Sequence, residues 1–89
     1  MRAVITVIGK DKVGIIASIS SILADCNVNI LDISQTTMQD IFTMVMLVDI
    51  KAMNTDFSDL SNRLEQKGRE IGLSVRIQHE DIFHSMHRI

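Results

Sequence analysis

A glycine-containing segment near the start of the chain, "GKDKVGII" at residues 9–16, has the residue types of an anion-binding loop. It lies between an apolar strand-like run and an apolar helical pattern. The unpaired amide N–H groups at the start of that helix, and the positive end of its dipole, would then point towards the same position, where an anion could bind. Gly9 and Gly14 have the G-x4-G spacing of a nucleoside triphosphate loop, but Ile15 and Ile16 replace its Lys and its Ser or Thr. The loop therefore favours a small carboxylate or phosphate.

Single residues around this loop also have simpler structural interpretations. Asp11 is most simply the N-cap of the following helix, because its carboxylate can accept from the first amides. Gly14 is most simply needed where the first helical turn crosses close to the sheet. Asn29 is either a turn residue or, with the second strand starting near the loop, a contact for an amino or carboxyl group. Together, Asp11, Gly14 and Asn29 favour a ligand site more strongly than any one of them does alone.

Metal and catalytic chemistries find less support. His84 and His87 would share a helical face beyond His79, yet no cysteine and no further acidic partner than Glu80 and Asp81 completes a site. We expect no metal there and interpret the histidines as solvated or pH-sensitive. Cys26 stands alone on the apolar face of the first helix, which predicts packing. No nucleophile has a base beside it in sequence, so an enzyme is not expected.

Composition restricts the partners. The 89 residues carry a net charge of -2 and are 46% hydrophobic, which is typical of one globular domain and offers no electrostatic surface for nucleic acid. No apolar run approaches the roughly 20 residues that cross a bilayer, and the N-terminal run stops at Gly9. We therefore expect a cytoplasmic protein without membrane partner or cofactor. A domain this small also gains stability by forming oligomers.

Hydrophobic periodicity predicts six elements in the order βαββαβ. They are a strand at residues 2–8, a helix starting at Asp11, the strands "NILDISQTTM" and "FTMVMLVDI", a helix from Asp56 to Gly72, and a strand at residues 73–78. Right-handed crossovers place both helices on one face of a four-stranded antiparallel sheet whose first and third strands are central. The expected fold is α+β and ferredoxin-like, with residues 1–89 forming a single domain.

The third predicted strand is apolar on both sides, since Val45 and Leu47 alternate with Met44 and Met46. The face away from the helices therefore needs a cover. A second copy is one candidate. A helical tail at residues 82–89 is the other, because its apolar residues recur at helical spacing, namely Ile82, Phe83, Met86 and Ile89.

The segment "GKDKVGIIASISSILADCNVNILDIS" resembles the first half of ACT domains, which are small βαββαβ regulatory modules that bind amino acids and similar ligands, usually between two copies. The shared features are a D-x-x-G loop, an apolar helix and an "N-I" strand start, matched by Asp11, Gly14, Asn29 and Ile30. The chain length and the ending "EDIFHSMHRI" are similar to a stand-alone, UPF0237-like branch, itself similar to the N-terminal half of the glycine cleavage system transcriptional repressor.

The resemblance implies a ligand at a homodimer interface. The ligand's carboxylate would accept hydrogen bonds from the backbone amides of Lys12, Val13 and Gly14. Its amino group would lie near Asp11 or Asn29. The function so implied is non-catalytic sensing of a small amino acid or related carboxylate. One alternative is a ligand-free module for dimerisation or for binding an unidentified protein. A more distant one is an acylphosphatase-like hydrolase, which needs an arginine in a loop that here has only lysines.

Overall fold

The computed structural model describes residues 1–82 and confirms the predicted element order. The elements are β1 (Arg2–Lys10), α1 (Ile15–Asp25), β2 (Asn29–Met38), β3 (Ile41–Asp49), α2 (Phe57–Ile71) and β4 (Leu73–His79). Residues 80–82 are helical, and the rest of the predicted tail, residues 83–89, lies outside the described residues.

The four strands form one sheet in the order β2-β3-β1-β4, and every neighbouring pair is antiparallel. β1 and β3 are therefore central, as predicted, and β2 and β4 are the two edges. The register of β2 on β3 shifts between Ile30 and Asp32, so Leu31 is an extra residue in the edge strand.

Both helices pack on one face of the sheet, where they bury a continuous apolar core. From the sheet this core takes Ala3, Ile5, Val7, Met44, Met46, Val48, Val75 and Ile77; from the helices it takes Ile15, Ile19, Leu23, Leu60 and Leu64. Cys26 is fully buried in the same cluster, which confirms its packing role. Among the residues that the structure describes, no helix is long and apolar enough to cross a membrane.

Three of the four helix ends form as the sequence predicts. The Asp56 side chain accepts a hydrogen bond of 2.7 Å from the amide of Asp59 at the start of α2. Gly72 ends that helix with a left-handed φ of 75°. Asn27, with φ of 58°, follows the C-cap of α1. The start of α1 differs from the prediction and is described with the site.

The opposite face of the sheet carries Val4, Thr6 and Ile8 of β1, which pair with residues 47, 45 and 43 of β3. Ile8 is 46% exposed, so part of this apolar face is open. Arg2 lies on the same face and pairs with Glu80 at 2.8 Å, which turns the chain towards that face after β4. The predicted cover, by a tail or a second copy, stays a prediction.

Candidate functional site

Residues 11–14 connect β1 to α1 and lie beside the turn between β2 and β3. The amide of Asp11 donates a hydrogen bond of 2.8 Å to the carbonyl oxygen of Asp40 in that turn. Gln39, next to it, has a φ of 57°, so the turn reverses tightly. The loop and the turn are thereby held together at one end of the sheet.

The helix begins later than the sequence indicated. Its N-cap is Gly14, with φ of 91° and ψ of 5°, and no side chain among residues 1–82 caps it. Asp11 is therefore not the N-cap, because residues 12–14 separate it from the first helical residue, Ile15. The close-approach explanation for Gly14 is also wrong: a Cβ there would meet no described atom within 4 Å. Glycine is needed at position 14 because the backbone there is left-handed.

The unpaired amides consequently lie further along the chain than expected. The first hydrogen bond of the helix runs from the amide of Ser18 to the carbonyl oxygen of Gly14. Helix geometry leaves the N–H groups of Gly14 and of residues 15–17 without intrahelical acceptors. The amides of Lys12 and Val13, which were predicted to bind the ligand, precede this turn because the helix begins after Gly14 and not at Asp11.

A pocket of about 420 Å³ opens beside the start of α1. It is lined by Asp11, Lys12, Gly14, Ile15, Ile16, Ala17, Gln35, Thr37 and Phe42. Polar groups from the loop and from β2 thus surround a floor that includes the buried side chains of Ile15 and Phe42. The residues that carry the free amides of α1 therefore line the same space as Asp11.

Gln35 and Thr37 are site residues that the sequence analysis missed. They pair with Met44 and Phe42, both buried in the core, so they lie on the helix-facing side of β2. No hydrogen bond is formed by either side chain within residues 1–82. The alternation of β2 and its direction relative to β1 were the signals that could have identified them.

Asn29 does not lie near the loop of its own chain, contrary to the expectation. It pairs with Asp49, which in turn pairs with Arg2 at the start of β1. The loop follows Lys10 at the other end of that strand, about 26 Å away at about 3.3 Å per residue. The reason is topological: two successive antiparallel pairings make β2 parallel to β1, so their starts coincide.

The two middle residues of the loop differ in their surroundings. Val13 is fully exposed and does not line the pocket. Lys12 lines it, but its Nζ atom lies 3.5 Å from the position that a Cβ on Gly72 would occupy. This places the ammonium beside the C-terminal end of α2, where the helix dipole is negative. Lys12 therefore lines the pocket while its ammonium group lies near the end of the second helix.

The histidine group expected to be solvated or pH-sensitive is described only in part. The ring of His79 stacks on that of Phe57, with centroids 4.2 Å apart and an interplanar angle of 15°. Within residues 1–82, no three or more His, Cys, Asp or Glu side chains come together as metal ligands would. His84 and His87 lie outside the described residues.

Comparison with known proteins supports the resemblance that the loop indicated. The family model of the ACT domain matches residues 2–78. A UPF0237 protein of Clostridium acetobutylicum is 56% identical over the full length of both chains.

Two solved structures extend the comparison. An ACT domain protein from Streptococcus pneumoniae has a TM-score of 0.80, with 41% identity and 98% of each chain covered. A glycine cleavage system transcriptional repressor is similar in fold, with a TM-score of 0.66 and 23% identity over 86% of this chain and 44% of its own. The chain therefore belongs to the ACT domain family, in the branch of the UPF0237 proteins.

Proposed function

We propose that this protein is a non-catalytic sensor that binds a small amino acid or related carboxylate in the pocket at the start of α1, within a homodimer. One observation carries the proposal: in the described part of the chain, the first turn of α1 has no side-chain cap and lines an open pocket. ACT domains are in general regulatory modules that bind small ligands, and membership of that family agrees with this role.

The pocket offers complementary groups to the two charges of an amino acid. The amides of Gly14 and residues 15–17, with the positive end of the helix dipole, suit a carboxylate. The carboxylate of Asp11 suits an ammonium group. Gln35 and Thr37 leave an amide and a hydroxyl for a polar group on the ligand. A zwitterion of modest size fits this arrangement better than a polyphosphate.

A second copy would complete the site through β2. This strand is an edge of the sheet, and all of its residues are exposed except Ile30. When two copies pair antiparallel along β2, the start of one strand lies beside the end of the other. Asn29 of a second copy then lies beside Met38, at the end of the sheet that carries the loop. Asn29 would thus contact a ligand held by the other chain.

Ligand occupancy would act by linkage. A ligand that binds only the completed site stabilises the dimer over any assembly that lacks it. The change in dimer population or surface is the signal that a protein partner would read. The cytoplasmic location expected from the sequence stays a prediction.

A ligand-free interaction module is the second candidate. It is favoured by exposed apolar side chains around the loop, since Val13 is fully exposed, Met38 71% and Ile41 55%. Such a cluster fits a protein contact without any small molecule. An acylphosphatase-like reaction gains no support from the geometry, because the loop has no arginine and Lys12 lies beside α2.

A thermal-shift screen of the twenty amino acids separates the two candidates. We expect at least one amino acid to raise the melting temperature, because a bound ligand adds about RT ln(1 + [L]/Kd) to the free energy of unfolding. The same amino acid should have no effect on an Asp11→Ala variant, which removes the carboxylate of the pocket. A matched Asp40→Ala variant removes a carboxylate at the neighbouring turn and should respond normally. If no amino acid shifts the wild-type protein, the interaction module is the better account.

A further inference from the structure

The outer edge of β4 is the second open edge of the sheet, remote from β2. Within residues 1–82, β4 pairs with β1 on one side only, so no described strand lies on its other side. A groove of about 430 Å³ runs along this edge. It is lined by Glu65 and Arg69 of α2 and by residues 73–78. A groove along six consecutive residues of an edge strand suits an extended segment added as a fifth strand.

Helix α2 lies unusually close to this edge because of Gly68. A Cβ on Gly68 would lie 2.7 Å from the carbonyl oxygen of Leu73 and 2.8 Å from Cγ2 of Val75. Only glycine allows this approach. The next residue, Arg69, is exposed and lines the groove from the helix side.

Arg76 lines the groove from the opposite side of the sheet. Leu73, Val75 and Ile77 are buried under the helices, so the alternation of the strand turns Arg76 to the other face, where it is exposed. One arginine therefore borders each side of the edge. None of the ion pairs within residues 1–82 involves Arg69 or Arg76. The groove's acidic residue, Glu65, accepts from the hydroxyl of Ser61 at 3.0 Å.

We propose that the β4 edge binds an extended acidic segment of another protein as a fifth strand. Successive side chains of a strand point to opposite faces of a sheet, so two adjacent carboxylates can meet Arg69 and Arg76 separately. Backbone hydrogen bonds with β4 provide affinity that is independent of sequence, and the two guanidinium groups select the acidic pair.

A second copy of the chain fits this edge less well. Symmetric antiparallel pairing of two β4 strands centred on Arg76 would place the two guanidinium groups directly opposite each other, which is unfavourable. In addition, a chain that pairs with itself through both β2 and β4 joins successive copies into one extended sheet, which keeps growing unless its symmetry closes. Pairing through both edges rests on the proposed function, because it assumes a dimer paired along β2. The repulsion between charges in the groove does not rest on it.

Amide NMR of the isotopically labelled full chain tests the inference. The probe is the blocked peptide acetyl-TVDEVT-amide, and its neutral counterpart is acetyl-TVNQVT-amide. We expect the acidic peptide at millimolar concentration to shift the amide signals of residues 73–78, with a Kd about fivefold lower than that of the neutral peptide. Arg69→Glu and Arg76→Glu should each weaken binding at least about fivefold. Lys51→Glu, an equal charge change outside the groove, should leave binding unchanged.

Three results would overturn the inference: no shift in β4 at millimolar acidic peptide, equal binding of the neutral peptide, or an effect of Lys51→Glu as large as that of the arginine variants. A fall in molecular mass by light scattering in Ser74→Lys would instead assign the edge to a second copy. Amino-acid binding at the loop is measured on the wild-type protein and on the same variants. If the wild-type protein binds the acidic peptide but no amino acid, only the proposed function is contradicted.

Discussion

The guanidinium group of Arg63 donates from Nη1 to the Sγ atom of Cys26 over 2.9 Å, which joins α2 to the end of α1. Its Nη2 atom lies 4.0 Å from the carboxylate of Asp25. The side chain of Arg63 is 42% exposed, whereas Leu64, the next residue of the helix, is fully buried. We therefore expect packing, rather than this polar contact, to contribute most of the stability of the two helices on the sheet.

This difference predicts unequal effects of two adjacent substitutions. Arg63→Ala should lower the free energy of unfolding by less than about 1 kcal/mol, because partly exposed ion pairs are screened by water. Leu64→Ala should lower it by about 3 kcal/mol, since it removes apolar contacts and leaves a cavity in the core. Urea denaturation followed by circular dichroism measures both. Equal losses would show that the polar contact, and not packing, is the main link.

The glycines provide a second prediction. Gly68→Ala should be strongly destabilising, because the new Cβ would overlap the carbonyl oxygen of Leu73, which belongs to the backbone and cannot turn away. Gly14→Ala has open space and should cost only about 1 to 2 kcal/mol for its left-handed φ. Melting temperatures should therefore fall further for Gly68→Ala. The reverse order would contradict the close packing of α2 on β4.

Much of this fold could be predicted from local sequence. Strict alternation assigned the buried and exposed sides of β4, and Asp56 and Gly72 marked the two ends of α2 correctly. These features are encoded within a few residues of one another, through side-chain period or capping chemistry. Right-handed crossovers then fixed the strand order.

The site was predicted less well because it depends on the backbone and on strand direction. Gly14 could be recognised as important, but hydrophobic spacing does not reveal a left-handed N-cap, so the free amides were placed too early. Asn29 was assigned to the loop of its own chain although β2 runs parallel to β1. Gln35 and Thr37 have no motif of their own and become site residues only through register.

The proposed dimer gives a third prediction. Light scattering of the purified protein should give the mass of a dimer. Leu31→Lys should shift the population towards monomer, because a lysine on an exposed edge strand opposes pairing with another strand. Ser74→Lys, the same kind of change on the β4 edge, should leave the dimer intact. A wild-type monomer, or a dimer disrupted only by Ser74→Lys, would contradict pairing along β2.

The central claim is that each ligand site combines the loop of one chain with Asn29 of another. Asp11→Ala and Asn29→Ala should each abolish the calorimetric signal for the amino acid that most stabilises the wild-type protein. The two variants fail for different reasons, since one lacks the loop carboxylate and the other lacks the amide. In a mixed dimer, one site pairs an intact loop with an intact Asn29, and the other site lacks both.

Mixing the two inactive variants and repeating the calorimetric titration is therefore the most direct measurement. With random exchange of chains, about half of the dimers are mixed and each regains one site. The account predicts binding at about one quarter of the wild-type number of sites, with wild-type affinity. If binding stays absent although chain exchange is confirmed by native mass spectrometry, the two residues do not share a site across the dimer and the claim is contradicted.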